Sequence, residues 1–176
     1  VNIMGAGILP ISIYNGKLMF LFSREAPQQG KAAGLWSDFG GGTEKIKGKR
    51  ETPFQTAVRE GWEESNGILG NKKDVSNLLK KHLMRKIVLN DNKGKYTTYL
   101  VLVDYNKHII KRFSNDFKQM KKKNPKLLSE HNGLYEKDKI KWISYNTLKN
   151  HMNIFRPFYK PIIKKIISDF NHNSNF

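Results

Sequence analysis

The chain has 176 residues, 32 Lys+Arg against 15 Asp+Glu for a formal charge of +17, and 38% apolar side chains. That length suits one domain with a real core and is short for two, and the apolar share excludes a disordered or collagen-like chain. The absence of cysteine excludes disulfide partners, thiolate metal sites and cysteine nucleophiles, and fits a reducing, intracellular, cytoplasmic setting.

No apolar run approaches the roughly 20 residues of a spanning helix, and the start of the chain lacks a basic stretch followed by a long apolar one, so no membrane partner is expected. Lysine far outnumbers arginine, and asparagine and isoleucine are abundant, a bias that AT-rich codons produce. That bias does not explain the shortage of acids, so a polyanionic partner is expected.

Residues 5–14 and 17–23 alternate or run apolar around Tyr14-Asn15-Gly16-Lys17, which predicts a hairpin. A polar loop from Glu25 to Gly34 leads to a short strand, Leu35–Phe39, which Gly40-Gly41-Gly42 is expected to end; residues 43–51 read as a charged loop. Thr52-Pro53-Phe54-Gln55 predicts a helix start, with Thr52 as cap, Pro53 in the first position and Gln55 closing a capping box; Asn66-Gly67 is its stop. Asp74–Lys81 reads as a short second helix, and Leu83–Asn90 and Lys95–Tyr105 as strands joined at Asp91-Asn92-Lys93-Gly94. Residues 107–126 form a lysine-rich segment with Asp116 its only acid, helical at first and ended before Pro125. Its two readings are a solvated helix face and a track for a phosphate backbone. Ile140–Ile143 is a strand, Asn146–His151 a short helix, and 158–170 an amphipathic helix with Ile162, Ile163, Ile166, Ile167 and Phe170 on one side; the last six residues read as frayed. The fold class is mixed α/β.

Glu60, Glu63 and Glu64 stand at i, i+3 and i+4, so all three carboxylates share one helix face, while Phe54, Ala57, Val58 and Trp62 supply another. Like charges so close need a counter-charge. Lysines can supply it, but a hard divalent cation suits carboxylate oxygens better. A solvated acidic face would explain an isolated Glu-Glu pair; three glutamates beside a glycine turn, in an acid-poor chain, point to a metal site.

The run from Gly40 to Gly67 resembles the Nudix box: Gly, five residues, Glu, seven residues, Arg-Glu, an aliphatic, any residue, Glu-Glu, any residue, Gly, an aliphatic. Glu51, the seven-residue spacing, Arg59-Glu60 and Glu63-Glu64 match, and Gly40, Gly41 and Glu44 match the Gly-Gly-x-x-Glu before it. Three departures stand out: nine residues in place of five between Gly41 and Glu51, Gly61 at the aliphatic position, and Asn66 where the final glycine belongs, with Gly67 next. The insertion carries Lys45, Lys47, Lys49 and Arg50 close to where phosphates would lie.

The resemblance implies one Nudix-type α/β/α sandwich with a mixed sheet over residues 1–176, with the basic insertion at 107–126 and the helix at 158–170 added to it. It also implies a pyrophosphohydrolase using Mg²⁺ or Mn²⁺. Glu60 and Glu64 would be the principal metal ligands, Glu63 would bind a second metal or orient the attacking water, and the Gly40 carbonyl would add a backbone ligand. Arg59, paired with Glu51, would hold the box together, with Glu44 a further structural member. The family often draws one more carboxylate from a later loop, for which Glu136 is the candidate and Glu130 the reserve.

The box does not select the substrate. Trp36, Phe39, Tyr96 and Tyr99 are candidates to stack a base, although strand aromatics are more often core, and Arg24, Lys45, Lys47 and Lys49 are candidates to meet phosphate. The two basic segments favour a phosphate-rich nucleotide, with capped RNA first, and the composition is similar to that of the mRNA-decapping type found in large DNA viruses. Free nucleotides, dinucleoside polyphosphates and diphosphoinositol polyphosphates come second. An RNA-binding module with a vestigial Nudix fold comes third, and the intact glutamates count against it. Oligomeric state stays open.

Overall fold

The computed structural model describes residues 3–129 and 132–171. Strands β1 (Ile3–Tyr14) and β2 (Lys17–Glu25) form the expected hairpin. Asn15 (φ 50°) and Gly16 (φ 71°) both take the left-handed conformation that a two-residue turn needs to match the strand twist. A 3₁₀ turn at Pro27–Ala32 leads to β3 (Trp36–Ser37) and β4 (Phe39–Gly42). The three glycines therefore do not end a strand. They form one, antiparallel to β1 with Gly5 opposite Gly42 and Gly7 opposite Gly40, where a Cβ on Gly40 would overlap the Gly7 backbone and the Tyr96 hydroxyl.

The charged stretch after them is a two-stranded hairpin rather than a loop, β5 (Lys45–Ile46) and β6 (Lys49–Arg50), turned by Lys47 (φ 49°) and Gly48 (φ 78°). Helix α1 (Pro53–Glu64) precedes α2 (Lys72–Lys81), which starts two residues before Asp74 because Asn71 caps it and Asp74 completes its capping box. Strands β7 (Leu83–Asp91) and β8 (Gly94–Leu102) pair antiparallel. Helix α3 (His108–Lys123) ends before Pro125 as expected, at a non-helical Asn124, and a separate short helix α4 (Pro125–Ser129) follows. Strand β9 (Lys137–Ser144), α5 (Tyr145–Leu148), a 3₁₀ turn (Lys149–Ile154) and α6 (Lys160–Asn171) complete the order. Residues 172–176, most of the stretch read as frayed, lie outside the described residues, as does Glu130.

Among the described residues the main sheet runs β3-β2-β1-β8-β7, with β4 beside β1 and β9 beside β2. β1 and β8 are parallel and their neighbours antiparallel, so the sheet is mixed. Side chains alternate across it. Ala6 and Ile8 pack with Ala57 of α1 and Val75 and Leu79 of α2. Leu9, Ile11, Phe20 and Phe22 pack beneath Tyr159 and Ile162, Ile163 and Ile166 of α6. The result is a helix–sheet–helix sandwich. The basic helix α3 buries Phe113 against Leu21, Phe39 and Ile140, buries Phe117 as well, and turns its lysines to solvent. Among the described residues no helix is long and apolar enough to cross a membrane.

Candidate active site

Local chemistry places α1. Thr52 Oγ1 accepts from the Gln55 N–H at 3.2 Å and Gln55 Oε1 accepts from the Thr52 N–H at 2.9 Å, so two otherwise orphaned amides are satisfied reciprocally. Gly61 occupies the box's aliphatic position because Ile8 reaches across from β1; a Cβ there would come within 2.6 Å of Ile8 Cδ1. At the other end Asn66 adopts φ 48° and Gly67 φ 79°, so the left-handed turn after the helix is made with asparagine first.

This helix sets its glutamates against β4. Glu64 is buried, and one carboxylate oxygen accepts the Gly40 N–H at 2.8 Å and lies 3.8 Å from Lys137 Nζ. Arg59 Nη1 donates to Glu60 at 2.8 Å and to Glu63 at 3.2 Å. The same guanidinium grips both oxygens of Glu51, at 2.8 and 3.0 Å, and donates to the Gly42 carbonyl at 2.8 Å. Glu44 stands 3.6 Å from Arg59 Nε, and its N–H donates to Glu51. Arg59 thus ties α1, β4 and the segment after β6 into one piece.

Charge is concentrated here at a cost. Burial raises the pKa of Glu60 to about 7, against the pull of Arg59 and with Glu63 and Glu136 adding to it. Burial also raises Glu63, opposed by Arg59 and reinforced by Glu44 and Glu136. It raises Glu64 well above the carboxylate range, opposed by Lys137 and reinforced by Glu60, Glu25 and Glu136. Glu136 therefore lies close enough to act on all three. Its backbone carbonyl is fixed by the Ala26 N–H at 2.8 Å, and Gly133 in the same loop faces Glu63, where a Cβ would overlap the carboxylate. Among the described residues no three acids or histidines converge tightly enough to enclose an ion as they stand; Arg59 contacts Glu60 and Glu63, and Lys137 stands 3.8 Å from Glu64. The donor set itself is all oxygen, with more carboxylates (Glu60, Glu63, Glu64, Glu136) than the two cations Arg59 and Lys137 beside them, and its chemistry fits a hard divalent cation.

Several solved structures share this arrangement of elements. A Nudix hydrolase from Mycobacterium smegmatis, RenU, matches with TM-score 0.52 and 15% identity, covering 96% of this chain and 86% of its own. The MutT protein of Methanosarcina mazei matches at 0.53 and 14%, covering 99% and 96%. The fold is that of the Nudix hydrolases. The Nudix domain of Shewanella oneidensis NrtR, solved with ADP ribose, matches at 0.51 and 13%, covering 98% and 88%. No family model matches the sequence. An uncharacterized protein of Acanthamoeba polyphaga mimivirus is 46% identical over 66 residues, 37% of this chain and 20% of that protein's length, so the match takes in about a fifth of that relative.

Within the Nudix fold the sequence candidates separate into groups. Glu60, Glu63, Glu64, Gly40 and Glu136 come together, with Glu51, Arg59 and Glu44 bracing them. Lys45, Lys47 and Lys49 are exposed on the β5–β6 hairpin. Two substrate candidates are corrected. Phe39 is wholly buried among Leu21, Phe113 and Ile140, so it is core and cannot stack a base. Arg24 is held by both oxygens of Asp138, at 2.9 and 2.6 Å, so its charge is already matched. Trp36 is partly buried at the edge of the core with the Arg24 guanidinium 6.0 Å from its ring centre, and Tyr99 is buried on the α1 side.

Sequence reasoning missed a buried network beneath the site. Lys137, wholly buried, donates to Glu25 at 2.5 Å and to Ser37 Oγ at 3.2 Å, and Arg156 Nη1 meets the same Glu25 oxygen at 3.2 Å. Nothing in a lysine-rich chain sets Lys137 apart. Asp38 accepts from Tyr96 Oη at 2.8 Å and Thr98 Oγ1 at 3.0 Å; burial raises its pKa to about 6 against those hydrogen bonds. For Asp38 a signal existed, a rare acid between Trp36 and Phe39.

Proposed function

We propose that the chain is a metal-dependent pyrophosphohydrolase that cleaves a diphosphate linkage in a phosphate-rich nucleotide, the 5′ cap of RNA first among them. The observation that carries this is the gathering of Glu60, Glu63 and Glu64 from one helix face with Glu136 from a distant loop, against a side-chain-free glycine strand.

Glu60 and Glu64, with the Gly40 carbonyl, would hold Mg²⁺ or Mn²⁺, and Glu63 and Glu136 would complete the oxygen set. A divalent cation held by these residues would supply charge neutralisation for the diphosphate and activation of water. The chain's own contribution is positioning. The Gly40 N–H fixes one oxygen of Glu64, Lys137 limits the repulsion between Glu64 and its neighbours, and Arg59 sets the rotamers of Glu60 and Glu63. With its pKa raised by burial, Glu63 is suited to take the proton of the attacking water. Lys45, Lys47 and Lys49, exposed on the hairpin that follows the glycine strand in the chain, would attract the phosphates.

One observation favours a second reading, binding without hydrolysis: Arg59 occupies oxygens of both Glu60 and Glu63. A single panel separates the two. Capped RNA, dinucleoside polyphosphates, free nucleotides and diphosphoinositol polyphosphates are incubated with Mg²⁺ or Mn²⁺ and with wild-type or Glu63→Gln protein. Turnover lost in Glu63→Gln, with the fold unchanged by circular dichroism, is expected. Full activity in that variant would sink the assignment, and capped RNA turned over no better than free nucleotides would remove RNA from first place.

A further inference from the structure

On the α6 side of the sheet lies a cavity of about 510 Å³, within the size range of small-molecule sites. Its floor is a row paired across four strands: Gly42, Gly5, Tyr96 and Leu89. At about 4.8 Å per strand the row spans about 14 Å. One end abuts the carboxylate cluster, since the Gly42 carbonyl accepts from Arg59 and a Cβ on neighbouring Gly41 would overlap the Glu60 carboxylate. The glycines remove the side chains that would otherwise separate the cavity from the glutamates.

The wall opposite the floor is aromatic and cationic. Phe158, 38% exposed, stands 5.2 Å edge-on from Tyr96, and Tyr96 is oriented by its hydrogen bond to Asp38. The Arg156 guanidinium lies 4.8 Å from the Phe158 ring centre and is held by Glu25. At the far end, on the turn between β7 and β8, Lys93 and Lys95 line the cavity. Asp91 beside them accepts the N–H groups of Lys93 and Gly94 through one oxygen, at 2.8 and 3.2 Å, so this end carries two positive charges against one negative.

A planar ring can lie against the exposed part of Phe158; the lysines at the far end call for an anion, and the glutamate end would accept one through a bound divalent cation. A free nucleotide carries its phosphates on one side only. A nucleotide chain carries a 5′ diphosphate on one side of its first nucleoside and a phosphodiester on the other. We propose that this cavity seats the first nucleoside of such a chain, its base against Phe158 and Tyr96. The 5′ phosphates pass Gly41 and Gly42 toward Glu60, Glu63 and Glu64, and the next phosphate lies at Lys93 and Lys95. The direction assigned to the 5′ phosphates rests on the pyrophosphohydrolase reading; the seat for the base and the second phosphate does not.

Equilibrium binding to the Glu63→Gln protein in Ca²⁺, which neutralises the 5′ phosphates, tests the cavity apart from turnover. The probes are the dinucleotide pppApA and ATP, titrated into the full chain by calorimetry at two salt concentrations. The dinucleotide should bind about tenfold or more tightly than ATP. Phe158→Ala should weaken both by about tenfold, as loss of a stacking ring does, while Phe158→Tyr retains binding. Lys93→Ala with Lys95→Ala should narrow the ratio between the probes. The same double variant should reduce the salt dependence of dinucleotide binding by about 0.7 in log–log slope for each phosphate no longer neutralised. Equal affinity for the two probes, no binding of the dinucleotide, or a ratio unchanged in the double variant overturns the proposal. If the binding pattern holds but no diphosphate is hydrolysed, the enzyme reading fails and the cavity assignment stands. If hydrolysis occurs but the two probes bind alike, only the cavity assignment fails.

Discussion

The ammonium of Lys137 lies 3.8 Å from a carboxylate oxygen of Glu64, and both side chains are buried. On its other side Lys137 donates to Glu25, which also meets Arg156, so a chain of alternating charge runs from the cavity wall to α1. Removing Lys137 leaves buried Glu64 without its neighbouring cation and Glu25 with Arg156 alone. Lys137→Met is expected to destabilise the protein by about 3–5 kcal/mol, the usual cost of leaving a buried charge unpaired. Adding Glu25→Gln should recover part of that. Chemical denaturation of the single and double variants checks it; equal stability of Lys137→Met and wild type would show that the network contributes nothing.

Divalent metal should stabilise the fold itself. At about 100 times the dissociation constant a ligand that binds only the native state adds about 2.7 kcal/mol, so Tm should rise with Mg²⁺ or Mn²⁺ and fall back with EDTA. Glu60→Gln and Glu64→Gln should each shrink the rise. A rise of the same size in both variants would place the metal elsewhere.

The Arg59–Glu51 pair supplies a pH signature. Burial by itself would raise Glu51, but hydrogen bonds from Arg59, the Glu44 amide and Thr56 outweigh it and hold the pKa below its ordinary 4.5. A depressed carboxylate stabilises the fold above its unfolded pKa, and that contribution is lost as pH falls through the folded value. Glu51→Gln should therefore be less stable than wild type at neutral pH, with the gap closing as pH drops below about 4.5. Denaturation midpoints at a series of pH values measure this, and a gap independent of pH would contradict it.

The glycine strand separates three substitutions. Gly40→Ala forces a Cβ into the backbone of Gly7 and Ala6 and should cost about 1–3 kcal/mol or more in stability. Gly41→Ala meets the Glu60 carboxylate first, 2.5 Å away, so activity should fall more than stability. Gly42→Ala meets no atom closer than 4.0 Å and should fold like wild type. Thermal melts alongside turnover test the ranking; a Gly41→Ala protein with normal turnover would mean that Glu60 tolerates displacement.

Turns and caps are legible in the sequence because residues within a few positions of each other settle them. Asn15-Gly16 specifies the β1–β2 hairpin, and Thr52, Pro53 and Gln55 specify the start of α1. The shared face of Glu60, Glu63 and Glu64 is helix geometry alone. The β5–β6 hairpin is not legible in the same way. Its turn puts Lys47 in the left-handed backbone region beside Gly48, which a run of charged residues does not advertise.

The carboxylate-bearing helix, the glycine run before it and the mixed α/β class are each written into short spans of chain. Tertiary packing adds what those spans do not contain. It pairs the glycines as a strand beneath the carboxylates, makes Phe39 core while Phe158 faces a cavity, and buries one lysine among many against Glu64. Burial and charge pairing join residues far apart in the chain, Lys137 to Glu25 and Tyr96 to Asp38, and no local pattern specifies which distant partner will meet.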